Sequence, residues 1–206
     1  MIAIVDYEAG NLTSVKRALD YIGIESKITP EPEEICKAER VIFPGVGHAA
    51  SAMKTLKERG LDKALKAVYS SGTPLLGICL GTQIILSHSD EGNTTCLGLV
   101  DGNCPKFKLS NNALKIPHIG WNTIKLHKQH PVLNDIDSGD ELYFVHSFYP
   151  QPSDPMLIIA TTDYEIEFPV VIGRKNLIAT QFHPEKSGPV GLQILANFSK
   201  WDGLTC

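Results

Sequence analysis

The stretch Pro74-Leu75-Leu76-Gly77-Ile78-Cys79-Leu80-Gly81 decides the fold, because an apolar run ends there at the pattern G-x-C-x-G. A helix-type pattern follows over residues 80–86, so the segment predicts a strand, a tight turn and a helix, with Cys79 at the turn. Glycine on both sides keeps side chains out of such a turn. The turn lifts Cys79 above the carboxyl edge of the sheet, and helix N-terminal amides favour the reactive thiolate there. We predict a cysteine nucleophile; the alternative is a buried cysteine between packing glycines.

A second stretch, Gln181-Phe182-His183-Pro184-Glu185, follows the apolar residues 177–179 at the end of a predicted strand. His183 and Glu185 are two positions apart, so an extended backbone puts them on one side, and Pro184 stiffens the link. A nucleophilic cysteine needs a base, and the base needs an orienting group. We predict that His183 is the base and that Glu185 orients it; the alternative is a turn or core histidine.

A third stretch, Pro44-Gly45-Val46-Gly47, ends the apolar run at residues 40–43. A tetrahedral intermediate needs hydrogen-bond donors for its oxyanion, and glycines let a backbone amide approach a ligand. The predicted donors lie at Val46 and Gly47 and at the amide of Leu80, directly after the nucleophile. An ordinary turn between a strand and a helix is the alternative for the glycine-rich segment.

The order of apolar runs predicts a single α/β domain over residues 1–206. Strands at residues 2–5, 40–43 and 75–78 alternate with helices, which implies a mainly parallel sheet with helices on both faces. The first helix is predicted to be capped by Asn11 and to end at Gly23. Short strands dominate after residue 95 and predict an antiparallel section before a closing helix. The other predicted helices cover residues 50–59, 61–70, 80–86 and 191–200, and the later strands 122–126, 143–148, 157–161, 170–174 and 177–181.

Composition narrows the class of protein. The chain has 206 residues, 43% hydrophobic and 20% charged, with a formal net charge of −4. That balance predicts a soluble globular protein and argues against a nucleic-acid or anionic-membrane surface. Five widely spaced cysteines form no C-x-x-C pair, and His127 and His130 fit a turn better than a metal pair. We expect no metal, no cofactor, and a reducing cytoplasm as the location.

The motifs P-G-V-G, G-I-C-L-G-T-Q and Q-F-H-P-E-K-S together resemble those of the class I (triad) glutamine amidotransferases, nearly end to end. Residues 6–12, 117–122 and 143–149 further resemble the family of glutaminase subunits of imidazole glycerol phosphate synthases. This resemblance implies glutamine as substrate and a heterodimer with a (β/α)8-barrel cyclase. The ammonia released from glutamine would pass to that cyclase, which makes imidazole glycerol phosphate in histidine biosynthesis.

The resemblance also implies roles for individual residues. Cys79 would be the nucleophile, His183 the base and acid, and Glu185 its orienting partner. Gln83 and the backbone of Ser147 and Phe148 would hold glutamine. Four residues would lie at the partner interface: Asn11, Trp121, Tyr143 and Lys186. His118 would be a packing and partner-face residue beside them. As alternatives, Asn11 is a helix cap, Tyr143 a core residue and Lys186 a solvated charge.

Two departures from the family pattern keep other functions open. Thr82 stands where methionine is common, and His48-Ala49 follow the G-V-G segment where Ala-Phe is common. The second change lies next to the predicted oxyanion donors and the interface. The alternatives are therefore an ammonia-supplying glutaminase for another acceptor, such as surface-sugar amidination, a non-catalytic regulatory subunit, and another cysteine hydrolase. Spacing disfavours the last, because His183 is far from Cys79 and paired with Glu185.

Overall fold

The computed structural model describes residues 1–110 and 114–204. Six α-helices in this part of the chain are α1 to α6: Leu12–Tyr21, Pro32–Lys37, Ala49–Glu58, Leu61–Ser71, Leu80–Ile84 and Gly188–Lys200. The strands β1 to β7 are Ile2–Val5, Ser26–Thr29, Arg40–Gly45, Leu75–Cys79, His88–Ser89, Thr94–Thr95 and Gly102–Cys104. The strands β8 to β14 are His118–Thr123, Lys125–Leu126, Glu141–His146, Gln151–Pro152, Ile158–Tyr164, Ile166–Arg174 and Leu177–Thr180.

The main sheet has eight strands in the order β2-β1-β3-β4-β14-β13-β12-β9. The strands from β2 to β14 in that order pair in parallel, and those from β14 to β9 pair antiparallel. The predicted mainly parallel sheet with an antiparallel section is therefore confirmed. Since β4 and β14 are parallel neighbours, the segments after both strands, which carry Cys79 and His183, leave the sheet at one edge.

Helices cover both faces of the sheet, as the sequence predicted. Leu19 of α1 and Phe198 of α6 belong to one buried apolar cluster, together with Ile4 and Ile78 of the central strands. The helices α2, α3 and α4 pack into a second cluster on the other face. Alternate residues of each central strand point to alternate clusters, so these strands are buried on both sides and read as continuous apolar runs.

Some local predictions were wrong. The sequence analysis missed β2, a four-residue strand whose middle positions are partly exposed, and α2, a helix of six residues. The elbow helix α5 ends at Ile84, earlier than predicted, and residues 122–126 divide between β8 and β9. Asn11 stands at the N-cap position of α1, as predicted, but its side chain makes no capping hydrogen bond to the helix.

Two smaller sheets lie beside the main one. Strands β8 and β10 form an antiparallel pair, with Trp121 opposite Tyr143 and His118 opposite His146. The strands β11, β7, β5 and β6 form a four-stranded sheet in that order. In the described ranges, no helix is both long and apolar enough to cross a membrane.

Candidate active site

The turn between β4 and α5 holds Cys79 in a strained conformation. Its φ is 51° and its ψ is −106°, a region that non-glycine residues rarely adopt. A Cβ at Gly81 would lie 1.9 Å from the carbonyl oxygen of Phe43, and one at Gly77 would lie 3.0 Å from Ala179 Cβ. Both glycines are therefore required by the close approach of backbone and side chains, as the sequence predicted for a nucleophile elbow.

The Cys79 thiol lies between two strands of different sheets. Its Sγ is 3.8 Å from the carbonyl oxygen of Val145 on β10 and 3.7 Å from Nε2 of Gln181, just after β14. The Thr82 hydroxyl, on the helix after the elbow, donates to the carbonyl of Thr180 at 2.6 Å. The substitution of threonine for methionine at this position thus adds a buried bond that ties the elbow helix to β14.

His183 and Glu185 lie together, with both side chains fully buried. His183 Nδ1 is 2.6 Å from Glu185 Oε1. The Asn11 amide donates to the same carboxylate oxygen at 2.5 Å and lies 3.3 Å from His183 Nδ1. Because Oε1 is an acceptor, His183 Nδ1 is the donor, and the other ring nitrogen, Nε2, is left without a protein partner. Asn11, predicted as a cap or interface residue, touches the candidate triad directly.

The charge state of His183 is set by two opposing influences. Burial disfavours the imidazolium, but the neighbouring Cys79 thiolate and the Glu185 carboxylate outweigh it and raise the pKa of His183 above its ordinary value. A buried imidazolium without such neighbours would lose its proton. The site thus favours the protonated, positively charged form of His183.

A cavity of about 260 Å³ opens beside Cys79, a size that suits a single amino acid. Its lining joins the predicted nucleophile and oxyanion residues to the predicted substrate residues: Val46, Gly47, Cys79, Leu80, Gln83, Ser147 and Phe148. Glu91 also lines it and accepts a hydrogen bond from the amide of Ala49 at 2.6 Å. A carboxylate at this wall suits the ammonium group of an amino acid.

The predicted oxyanion segment is the open part of this cavity. Gly47 has a φ of +125°, which favours glycine, and a Cβ there would meet no atom within 4 Å. Gly45 is tightly packed instead, since its Cβ would lie 1.8 Å from the Tyr7 hydroxyl. The segment is therefore tightly packed at Gly45 and has open space at Gly47, directly before His48 caps α3 by accepting from the Ala50 amide.

Two residues that contact the site, Gln181 and Glu91, were not among the predicted site residues. Gln181 is fully buried, and its amide bridges Gln83 and Cys79. Its position two residues before His183, on the same side of an extended segment, could have indicated it. Glu91 had no local signal, because the turn between β5 and β6 reaches the pocket only through the fold.

The predicted interface residues differ in exposure. Trp121 is 53% exposed, and its ring packs against Tyr143 with the centroids 6.0 Å apart. Lys186 is exposed, while Asn11 and Tyr143 are partly buried. His118 is only 3% exposed, so the prediction of a partner-face residue was wrong for it, although the packing role is correct. Strand alternation explains this, because Ile119 and Trp121 point outward and His118 points inward.

The two histidines considered as a metal pair make separate contacts. His127 Nε2 lies 2.7 Å from the Thr161 hydroxyl, and His130 Nδ1 accepts from the Val132 amide. No cluster of three potential metal ligands occurs within residues 1–110 and 114–204.

A cysteine at a strand–helix elbow, with a histidine and a carboxylate after the neighbouring parallel strand, defines an α/β protein of the cysteine-nucleophile class. The family described as "Glutamine amidotransferase class-I" matches residues 3–201. A solved glutamine amidotransferase has the same fold, with a TM-score of 0.76 at 16% identity, over 98% of this chain and 99% of that one. The chain belongs to the class-I glutamine amidotransferase family, and within it to the subunits named imidazole glycerol phosphate synthase subunit HisH.

That narrower family is shown by two relatives of this name. The protein from Dehalococcoides mccartyi is 49% identical over 201 residues, 97% of each chain. The protein from Desulfovibrio desulfuricans is 48% identical over 206 residues, 98% of this chain and 94% of its own. The resemblance inferred from the sequence motifs is confirmed.

Proposed function

We propose that the chain, as one domain over residues 1–206, is the glutaminase subunit of an imidazole glycerol phosphate synthase in histidine biosynthesis. The observation that carries the chemistry is the meeting of Cys79, His183 and Glu185 at one sheet edge, beside a cavity for one amino acid. Family membership supports the substrate, glutamine. The free thiols of Cys36, Cys79, Cys96 and Cys104 fit a reducing cytoplasm.

The reaction follows from the geometry. The Cys79 thiolate attacks the side-chain carbonyl carbon of glutamine, and the amides near Gly47 and Leu80 stabilise the oxyanion. The His183 imidazolium gives its proton to the amide nitrogen. That nitrogen leaves as ammonia, and the glutamyl group stays bound to Cys79 as a thioester. His183 then takes a proton from water, the water attacks the thioester, and glutamate leaves as the thiolate reforms. Glu185 holds Nδ1 so that Nε2 faces the reacting atoms.

Substrate recognition uses the opposite wall of the cavity. The Glu91 carboxylate would receive the α-ammonium group of glutamine, and Gln83 with the backbone of Ser147 and Phe148 would hold the rest of the substrate. The Gln83 amide is well placed for this, because it donates to the carbonyl of Phe148 at 2.9 Å. A carboxylate among neutral amides selects a free amino acid over an internal peptide residue.

The proposed partner is a (β/α)8-barrel cyclase, and the face that carries Trp121 supports a docking role. Ile119 is 59% exposed and Trp121 is 53% exposed on the same outward side of β8. Exposed large apolar side chains together with Tyr143 and the cationic Lys186 suit an interface with a polar rim. Docking there would deliver ammonia before water protonates it, and would turn the open Gly47 peptide toward the oxyanion.

The test combines chemistry and partnership. Cys79→Ala should abolish glutamate release from glutamine while ammonium salts still feed the reaction of the barrel subunit, because only the ammonia source is removed. The wild-type chain alone should be slower than the complex by about 10²–10³-fold, the value of one missing oxyanion donor. Normal hydrolysis by Cys79→Ala would contradict the nucleophile, and equal rates with and without the barrel would contradict the activation.

A separate experiment tests the acceptor. The chain should restore growth without histidine to a strain that lacks its own glutaminase subunit, and should co-purify with a barrel of about 250 residues. Trp121→Ala should weaken that co-purification without lowering the melting temperature. Recovery of a sugar-modifying amidotransferase instead, with failure of the rescue, would keep the glutaminase and overturn the pathway.

A further inference from the structure

One wall of the glutamine pocket, lined in part by His146, contains a row of hydrogen bonds that carries no step of the proposed reaction. The carbonyl oxygen of Phe148 accepts from Gln83 Nε2 at 2.9 Å and also lies 2.8 Å from His146 Nδ1. His146 Nε2 lies 3.1 Å from His118 Nδ1, and His118 Nε2 lies 3.4 Å from the Asn122 amide nitrogen. The row therefore runs from a pocket residue to β8, directly beside Trp121.

The direction of every bond in this row is fixed by backbone groups at its two ends. A carbonyl oxygen only accepts, so His146 must carry its proton on Nδ1 and accept on Nε2. His118 must then donate from Nδ1 and accept on Nε2. At the outer end, Asn122 Nδ2 donates to the carbonyl of Asp163 at 2.9 Å, and Asn122 Oδ1 accepts from the Thr123 amide at 2.9 Å. The Asn122 amide is thus oriented to donate to His118, in agreement with the other end.

The same direction fixes the side chains on the pocket side. Gln83 Nε2 donates to Phe148 and to Gln181 Oε1, the latter at 3.1 Å, so its two hydrogens face acceptors and its oxygen is directed elsewhere. With its oxygen occupied, the Gln181 amide presents Nε2 to Cys79 Sγ at 3.7 Å. The Phe148 carbonyl is the point at which the histidine row and the two glutamines join.

Both histidines are buried and neutral, as this arrangement requires. His118 is 3% and His146 4% exposed. Burial lowers the pKa of His118 to about 4 and that of His146 to about 3, so each ring carries one proton at neutral pH. The His118 ring is held by stacking on Phe144 and Tyr164, at centroid distances of 5.0 and 4.1 Å.

We propose that His118 and His146 are positioning residues of the glutamine site, both fixed in the Nδ1–H tautomer, which hold the Phe148 carbonyl and through it the Gln83 amide. The inference deepens the proposed function and rests on it for the substrate. Since a buried row with all partners satisfied costs free energy to rearrange, it keeps the pocket wall in one geometry before substrate arrives.

The first test reads the tautomers directly and needs no activity. Nitrogen-15 NMR of the imidazole rings in the wild-type chain should show His118 and His146 both neutral and protonated on Nδ1 at pH 7. This is the minority form of free histidine. An Nε2–H ring at either position would overturn the proposal. The result is independent of glutamine turnover, so it separates failure of this inference from failure of the proposed function.

The second test is kinetic, with glutamine and the barrel partner present. His146→Leu should raise KM for glutamine about tenfold and leave kcat within about threefold, since it loosens the pocket wall and leaves the triad intact. His146→Asn, which keeps an amide donor near the position of Nδ1, should restore most of the affinity. An unchanged KM in His146→Leu, or no rescue by asparagine, would overturn the proposal.

Two further variants control for folding. His118→Phe keeps the stacked ring and removes its bonds to His146 and Asn122, so it should raise KM by about threefold even if His146→Leu is poorly folded. His130→Leu removes a comparable buried histidine that packs on Trp201, at a centroid distance of 5.0 Å, and should leave KM unchanged. A KM increase in His130→Leu equal to that in His146→Leu would show a general loss of structure and overturn the positioning role.

Discussion

Two buried histidines near the same cavity differ in charge: His183 is a cation and His146 is neutral. His183, after β14, contacts the Glu185 carboxylate and lies near Cys79, and these two neighbours raise its pKa despite burial. His146, at the end of β10, contacts a carbonyl and a neutral imidazole, and burial lowers its pKa to about 3. Burial alone therefore does not decide whether a histidine is charged. The charge of its partners decides, which fits the proton-transfer role that we propose for His183 and the positioning role that we propose for His146.

The largest expected effect separates these roles. His183→Ala should lower kcat for glutamine by about 10³-fold, because general acid–base catalysis contributes about 10²–10⁴-fold. Activity with ammonium salts in the complex should remain. His130→Leu, at a buried neutral histidine away from the cavity, is the control. A His183→Ala variant with an altered KM and an unchanged kcat would contradict the distinction between His183 and His146.

Removing the negative charge of Glu185 should make His183 more like the neutral histidines. Glu185→Gln keeps an acceptor for Asn11 and His183 but removes the negative charge that helps to raise the pKa of His183. We expect that pKa to fall, measured by NMR titration, and kcat to fall by about 10²-fold, less than in His183→Ala. An unchanged pKa would mean that Cys79 alone holds the proton on His183.

The neutral histidines should make the protein sensitive to mild acid. Burial lowers the pKa values of His118, His130 and His146 in the folded chain to about 4, about 4 and about 3. Their stabilising contribution is present above the unfolded pKa of about 6.5 and is lost as pH falls toward the folded values. His183 is protonated in the folded state throughout this range, so it opposes the slope near pH 6.5, where the unfolded chain takes up its proton, and adds little below about pH 5.5.

The free energy of unfolding should therefore fall by about 1.4 kcal/mol per pH unit for each of these histidines below pH 6.5. Urea denaturation at pH 7, 6 and 5 measures it. In the His130→Leu variant this slope should be shallower by the contribution of one histidine, about 1.4 kcal/mol per pH unit. A constant free energy of unfolding between pH 7 and 5 would contradict the buried neutral state.

The smallest expected effect concerns Asn11, which touches the candidate triad and was predicted from the sequence to lie at the partner interface. Asn11→Ala removes one of the two donors to Glu185 Oε1 and should lower kcat about fivefold at saturating barrel partner. The partner dissociation constant, measured by calorimetry, should change little. A weaker complex with normal kcat would return Asn11 to the interface role predicted from the sequence.

The sequence predicted the parts of the site that local geometry determines. The elbow at Cys79 was predicted correctly, because the two glycines and the flanking apolar run encode the turn within eight residues. Asn11 occupies the predicted N-cap position, but its side chain bonds Glu185 across 174 positions, and no local pattern encodes that contact. The strand Ser26–Thr29 was missed for a related reason: it lies at the sheet edge, is partly exposed, and lacks a continuous apolar run.

The predicted site residues divide in the same way. Cys79 ends β4, Gln83 lies on the helix after it, and His183 follows β14. Because β4 and β14 are parallel neighbours, these residues meet at one edge of the sheet. Glu91 reaches the cavity from a turn of the small sheet, whose strands of two or three residues are too short to predict from periodicity. His118 was placed on the surface because the sequence alone does not show which side of β8 faces inward.

The two tryptophans differ in exposure, so their intrinsic fluorescence reports on two different events. Trp121 is 53% exposed on the proposed docking face, and Trp201 is 3% exposed against His130 and Phe198. Indole emission moves to shorter wavelength when water is excluded and to longer wavelength when water is admitted. Covering β8 therefore shifts the emission spectrum to the blue, and melting the core around Trp201 shifts it to the red, so a single intrinsic fluorescence measurement distinguishes assembly from denaturation.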